Sequence, residues 1–476
     1  MKAIIPIFHH DTTKSLYLQL YEYLKNSITK GEITEGEKLP SLRSLSKELS
    51  LSLTTITSAY QQLEVEGYIQ SKPQSGYYVR HIPFLENTPQ QKPDAEKKEN
   101  ISTVFSTENL NLSDSSFTQP SFQYDLSCFD FTKWKKCMAQ VFTEHADLLM
   151  FESDPQGEPA LRSELCRYLY SSRGVISMPS QVVIGAGTQQ ITGYLSLLLR
   201  KYGINHVAVE EPGYLPVQNI FRDRGFAVTP IPVNESGISI ERLPANIRTA
   251  AYISPNNQFP TSAVTPVGHR YQLLGWALKN DSFLIEDDYD SELRYTGKPI
   301  PAMKSLDTDE RVIYLGSFSS TLFPSIKISY MVLPEPLARI FHQIKNDYMQ
   351  TCSKAEQLTL AIFMARGLYQ INIKKLRNLY AQKLQRLLTA VSKYGSGFIT
   401  PVNTASGINV TIQLHSKKAP EEIQRSAASL GIRVLPVKLK DAAVTQNDNI
   451  FILYYNCIPL DEIDANIRNL IQIWKH

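Results

Sequence analysis

The chain has 476 residues, more than one hydrophobic core usually supports, so two or three domains are expected. Hydrophobic residues make up 42% and charged residues 20%, the balance of a soluble globular protein. The formal net charge of +3 is too small to imply any partner. The five cysteines, Cys128, Cys137, Cys166, Cys352 and Cys457, are odd in number, scattered and free of any CxxC pair. They read as reduced thiols, not as a disulfide frame or a zinc site. The opening MKAIIPIFHHDTTKS has too short an apolar run for a signal peptide. No segment reaches the roughly 18 apolar residues of a membrane span. A cytoplasmic protein with no metal and no membrane partner is therefore expected.

Residues 1–80 predict a small helical unit. LYLQLYEYLKNSITKGEI puts Leu16, Leu20, Leu24 and Ile28 four apart, one face of an amphipathic helix. LPSLRSLSKELS follows with Ser41 as N-cap and Leu42, Leu45 and Leu49 facing inward. LSLTTITSAYQQLEVEGY then gives Ile56, Tyr60 and Leu63 at helical spacing. YIQSKPQSGYYVR alternates on either side of Pro73–Gly76, a hairpin signal. Three helices and a hairpin outline a winged helix-turn-helix. Such a unit places its second helix in the major groove while hydroxyls and amides hold phosphates. The candidate DNA-facing residues are Ser41, Arg43, Ser52, Thr54, Thr55, Thr57, Tyr60, Lys72 and Gly76. A solvated helical domain with no nucleic-acid role fits the same pattern, since Ser/Thr runs also cap helices, and nine basic residues against eight acidic ones do not decide between the two.

LPSLR and AYQQLEVEGY make this segment similar to the GntR-type winged helix across nearly all 80 residues. That resemblance implies binding to double-stranded DNA. LSLTTI departs from the family's VSRxTV, with Leu53 where an arginine would reach phosphate or guanine.

From residue 81 to residue 119 the sequence turns polar and loses apolar periodicity, as in ENTPQQKPDAEKKEN, which predicts a flexible linker. Residues 120–476 alternate short β-branched runs with helical stretches. QVVIGAG, HVAVEEPGY, TAAYISPNN, SFLIEDDYD and RVIYLGSFS each end in glycine, proline, asparagine, serine or acid. That spacing predicts an α/β domain with a mainly parallel central sheet and functional residues just past the strand ends.

This larger segment resembles the fold-type I aminotransferases, and the whole chain resembles the MocR/GabR subfamily, where a GntR head precedes an aminotransferase-like body. The resemblance implies a homodimer, a small-molecule effector and a pyridoxal phosphate site. IGAGTQQ supplies Gly187, Thr188 and Gln189 around the phosphate, and EEPGY supplies Tyr214 to stack on the ring. SPNNQFP offers Asn257, and IEDDYDSE offers Asp287 for the pyridine nitrogen and Tyr289 for the phenolic oxygen. GSFS supplies Ser317 and Ser319 as phosphate hydroxyls.

The departures cluster on the chemistry. Ser320 occupies the Schiff-base lysine position, and Lys327 replaces a phosphate-binding arginine, keeping a charge but losing the fork. Cys457 stands where the substrate-carboxylate arginine would fall, Leu215 and Pro216 where a relative has arginines, and Asn409 in place of a usual histidine. Without the lysine, no amine holds the aldehyde or moves the Cα proton. Pyridoxal phosphate, if bound, is then expected to be held weakly and without a covalent bond. The expected function is a transcriptional regulator whose degenerate body senses ligand and dimerises, with no catalytic residues. The alternative is a pyridoxal-phosphate-dependent aminotransferase with an appended DNA-binding head.

Overall fold

A computed structural model describes residues 8, 14–82, 125–295, 300–402, 404, 407–437 and 448–475. The chain divides into two units, Met1–Asp114 and Ser115–His476. Of the linker expected over 81–119, all but residues 81 and 82 lies outside the described residues.

In the first unit, α1 (Leu16–Thr29), α2 (Leu42–Leu49) and α3 (Leu53–Val65) precede the strands β1 (Ile69–Lys72) and β2 (Gly76–Val79). The fourfold spacing works as expected: Leu20, Leu24 and Ile28 are buried with Leu45, Ile56 and Leu63. Each of the last two helices starts on a serine cap. Ser41 Oγ accepts from the Ser44 amide at 3.1 Å, and Ser52 Oγ accepts from the Thr55 amide at 3.1 Å. The strands pair antiparallel, Ile69 opposite Val79 and Lys72 opposite Gly76. Gly76 closes the turn at φ +112°, a conformation that side chains rarely adopt.

The second unit is built on an eight-stranded sheet in the order β3-β10-β9-β8-β7-β4-β5-β6. These strands are β3 (Val182–Gly185), β4 (His206–Glu211), β5 (Ala227–Asn234), β6 (Gly237–Ile238), β7 (Thr249–Ile253), β8 (Phe283–Asp288), β9 (Val312–Ser317) and β10 (Ser329–Val332). Strands β5, β4, β7, β8 and β9 run parallel, while β10 lies antiparallel between β9 and β3. Alternation sorts the side chains to two cores. Val182, Ile184, Tyr330 and Val332 enter one, and Val183 and Met331 enter the other. Helices cover both, among them α4 (Phe131–Glu144), α5 (Pro159–Arg173), α6 (Thr188–Tyr202) and α7 (Leu215–Asp223).

A smaller antiparallel sheet, ordered β11-β12-β14-β13, follows the 28-residue helix α8 (Leu368–Gly395). Its strands are β11 (Ile399–Pro401), β12 (Asn409–His415), β13 (Val434–Pro436) and β14 (Asp448–Tyr454). Leu387, Ile412, Leu453 and Trp474 share its core. The five runs read as strands in the sequence all lie in the large sheet. Strand β10 and the small sheet were not among those runs. Among the described residues, no helix is long and apolar enough to cross a membrane.

Candidate functional site

On the first unit, Arg43, Thr54 and Lys72 are exposed, as are the capping residues Ser41 and Ser52. Thr55 is tied to Ser52 through their hydroxyls at 2.7 Å, and Thr57 Oγ1 donates back to the Leu53 carbonyl at 2.8 Å. Lys72 Nζ lies 4.6 Å from the centroid of the Tyr78 ring, which fixes the hairpin's basic group over an aromatic face. Leu53, 47% exposed, opens α3 where an arginine was expected. Tyr60 is corrected. It is fully buried, packs edge-on against Tyr77 at 5.1 Å, and donates its hydroxyl to the Pro40 carbonyl at 3.0 Å. The helical spacing that put it in the core outweighs its residue type, so it presents nothing to DNA.

On the second unit, the ends of β3, β7, β8 and β9 open onto a cavity of about 500 Å³. Ten of the eleven expected cofactor residues line it: Gly187, Thr188, Gln189, Tyr214, Asp287, Tyr289, Ser317, Ser319, Ser320 and Lys327. Asn257, the eleventh, stands behind the wall. Its amide donates to both Asp290 oxygens at 2.8 and 2.9 Å and to the Tyr289 hydroxyl at 3.3 Å.

The lining follows from the strand–turn–helix connections. Gly187, at φ +88°, turns the chain out of β3 and into α6, so the first turn of that helix lines the cavity. A Cβ on Gly187 would sit 4.0 Å from Lys327 Cδ, which shows how closely that side chain crosses the turn. Ser317 and Ser319 are 3.3 Å apart at their hydroxyls, and Ser329 donates to Ser317 at 3.0 Å. Ser320 Oγ donates to the Tyr289 carbonyl at 2.7 Å. Its hydroxyl is thus anchored to the wall.

Below this rim the interior is acidic. Asp287 accepts from the Tyr252 hydroxyl at 2.5 Å, and burial pushes its carboxyl up to about 6. Burial likewise pushes Glu210 and Asp290 up to about 8 and Glu286 to about 7. Arg173, only 1% exposed, pairs with Asp288 at 3.2 Å and Glu292 at 3.7 Å. Asp288 also accepts from Asn256 at 3.1 Å and from the Tyr314 hydroxyl. These contacts lie in the buried interior beside Asp287, the one of these acids that lines the cavity.

Several lining residues were not foreseen: Ala186, Ser254, Phe259, Ile408 and Tyr454. Ser254 and Phe259 follow β7 within stretches already singled out, so their position past a strand end was a usable signal. Tyr454 carries no such signal, because it reaches the cavity from the other sheet. Asn409 lines the cavity, whereas Cys457, Leu215 and Pro216 do not. Cys457 instead approaches Asn456 Oδ1 at 3.6 Å.

The donor set fits pyridoxal phosphate without a covalent bond. Helix amides, two hydroxyls and the Lys327 amine suit a phosphate, and a buried carboxylate suits a protonated pyridine nitrogen. Tyr214 offers an aromatic face, its ring edge-on to Phe259 at 6.3 Å. Among the described residues, no group of three or more His, Cys, Asp or Glu could hold a metal ion.

Residues 16–79 match the gntR family of bacterial regulatory proteins, and residues 121–440 match aminotransferase class I and II. Members of the latter family normally bind pyridoxal phosphate. The uncharacterized HTH-type transcriptional regulator YdeL of Bacillus subtilis is 36% identical over 99% of both chains. The HTH-type pyridoxine biosynthesis transcriptional regulator PdxR of Corynebacterium glutamicum is 32% identical over 91% of both. Among solved structures, a Pyrococcus horikoshii kynurenine aminotransferase aligns with a TM-score of 0.63. It covers 82% of this chain and 97% of its own at 21% identity, a likeness of fold.

Proposed function

We propose a function from one premise: the chain belongs to the MocR/GabR type of gntR-family regulators, in which an aminotransferase class I and II body follows the DNA-binding head. It is a DNA-binding transcriptional regulator. Its body binds a small effector and holds two copies together, and it does not transaminate. Two linked heads are needed because a single winged helix reads too few base pairs for useful specificity. The head would hold phosphates through Arg43, Lys72 and the hydroxyls of Ser41, Ser52 and Thr54, with Thr55 and Thr57 nearest the bases and Gly76 keeping the hairpin tight.

The observation that carries the reading is Ser320, a half-buried hydroxyl already bonded to the Tyr289 carbonyl. A hydroxyl forms no Schiff base, and it is not basic enough to move a carbon-bound proton. Pyridoxal phosphate would supply an electron sink and an aldehyde when bound. Thr188, Ser317, Ser319 and Lys327 would bind its phosphate, Asp287 would hold the pyridinium proton, and Tyr214 would cover the ring. With no covalent tether and no arginine fork, the grip is weak and reversible.

The test is a gel-shift series with fragments flanking the protein's own gene, run beside a transaminase assay on the same preparation. A salt-sensitive shift confined to particular fragments, with no turnover, is expected. Turnover above the background of free pyridoxal phosphate, or no sequence-dependent shift from any fragment, would contradict the reading.

A further inference from the structure

Helix α3 carries no lysine and no arginine. Its one charged side chain, Glu64, turns to the hairpin and accepts from the Ser71 amide at 2.9 Å. Exposed basic groups of the head lie on the flanking elements instead. Arg43 and Lys47 stand on α2, and Lys38 and Lys72 lie 5.9 and 4.6 Å from the centroid of the Tyr78 ring. Three side chains of α3 stay exposed without a hydrogen-bond partner among the described residues. Leu53 opens the helix and, unlike Leu49 and Leu51, is not packed on the head's core. Thr54 follows it, and Gln61, seven residues on, lies two turns along the same face. Their neighbours are occupied: Thr55 is tied to Ser52, and the Gln62 amide donates to Glu66 at 2.6 Å.

This sorting separates the two tasks of a DNA reader. Charges on the flanking elements grip phosphates, which carry no sequence. Bases are told apart in the major groove by the side chains of the inserted helix. Arginine and lysine are the commonest readers of guanine, and α3 has neither. An amide matches the paired donor and acceptor of adenine, whereas an aliphatic side chain matches the methyl group of thymine. Bringing Leu53 against that methyl removes apolar surface of both from water.

We propose that α3 reads an A·T-rich half-site, with Leu53 against a thymine methyl and the Gln61 amide on an adenine. This rests on the reading of the head as a DNA-binding unit and gives its operator a base composition. Leu53 is then a base reader in its own right, at a position where an arginine would select guanine.

Selection of bound sequences from a random DNA pool by the full-length protein tests it first. A·T pairs are expected to dominate the half-site, Leu53→Arg should bring in guanine at one position, and Gln61→Leu should relax adenine at another. Synthetic sites in which each thymine is replaced in turn by uracil, which lacks the methyl, test it next. One replacement is expected to weaken wild-type binding about fourfold, the worth of one buried methyl group, and to have no effect in Leu53→Ala. Four results overturn the proposal while leaving DNA binding intact. They are G·C pairs across the half-site, a selection unchanged by Gln61→Leu, equal affinity for thymine and uracil at every position, and a uracil effect that survives Leu53→Ala. No enriched sequence at all overturns the reading of the head as well.

Discussion

In the head, the buried residues among those described are apolar apart from Ser27, and the charged groups stay outside, some of them paired, as Lys25 is with Glu66 at 3.2 Å. In the body, Arg173, Glu210, Glu286, Asp287, Asp288, Asp290 and Glu292 are all buried. The head is thus held by hydrophobic burial and leaves its polar groups free to meet a partner. The body commits ionisable groups to its interior, which makes its stability conditional on pairing and on pH.

The largest expected effect breaks the body's charge pairing. Arg173→Met would leave Asp288 and Glu292 buried without their cation, a loss of about 3–5 kcal/mol. Calorimetry should show the body's transition lowered while the head's stays in place. An unchanged body would mean that the pair is structurally idle.

Titration sharpens the same contrast. Glu210, Glu286, Asp287 and Asp290 have folded pKa values raised to about 8, 7, 6 and 8. Between about pH 4 and pH 8 the folded body then holds more protons than the unfolded chain, so stability falls as pH rises. The body should melt several degrees lower at pH 8.5 than at pH 6. Among the described residues the head has no buried carboxyl, and Glu66, hydrogen-bonded by Gln62, is pulled the other way to about 2. A body transition that rises with pH would contradict the burial of these groups.

Within the head, two substitutions separate surface from core. Arg43→Ala should weaken DNA binding across all sequences and lower the salt slope by about one, with no change in melting. Tyr60→Phe should cost about 1 kcal/mol of stability through the lost bond to Pro40 and leave DNA affinity unchanged. The reverse pattern would restore Tyr60 to the DNA-facing set.

The head was legible because its signals are local: fourfold leucine spacing, serine caps and a glycine turn. Tyr60 went astray where residue type was read against that spacing. The cavity wall was legible wherever a residue follows a strand of the parallel sheet, which covers Gly187 to Lys327. What lay beyond reach depends on distant pairing. Arg173 meets Asp288 across more than a hundred residues, and Tyr454 arrives through the small sheet, far along the chain from the other lining residues of the large one. Cys457 was placed by motif position alone, and it lies past the end of β14, outside the cavity lining.

The central claim is that this body keeps a cofactor-shaped cavity without the chemistry of a Schiff base. Incubating the full-length protein with pyridoxal phosphate, reducing with borohydride and weighing the peptides tests it most directly. No lysine adduct is expected in the wild type, with the ligand removable by dialysis, and an adduct at the introduced amine is expected in Ser320→Lys. A specific adduct on Lys327, or on any other lysine of the unmodified chain, would contradict it.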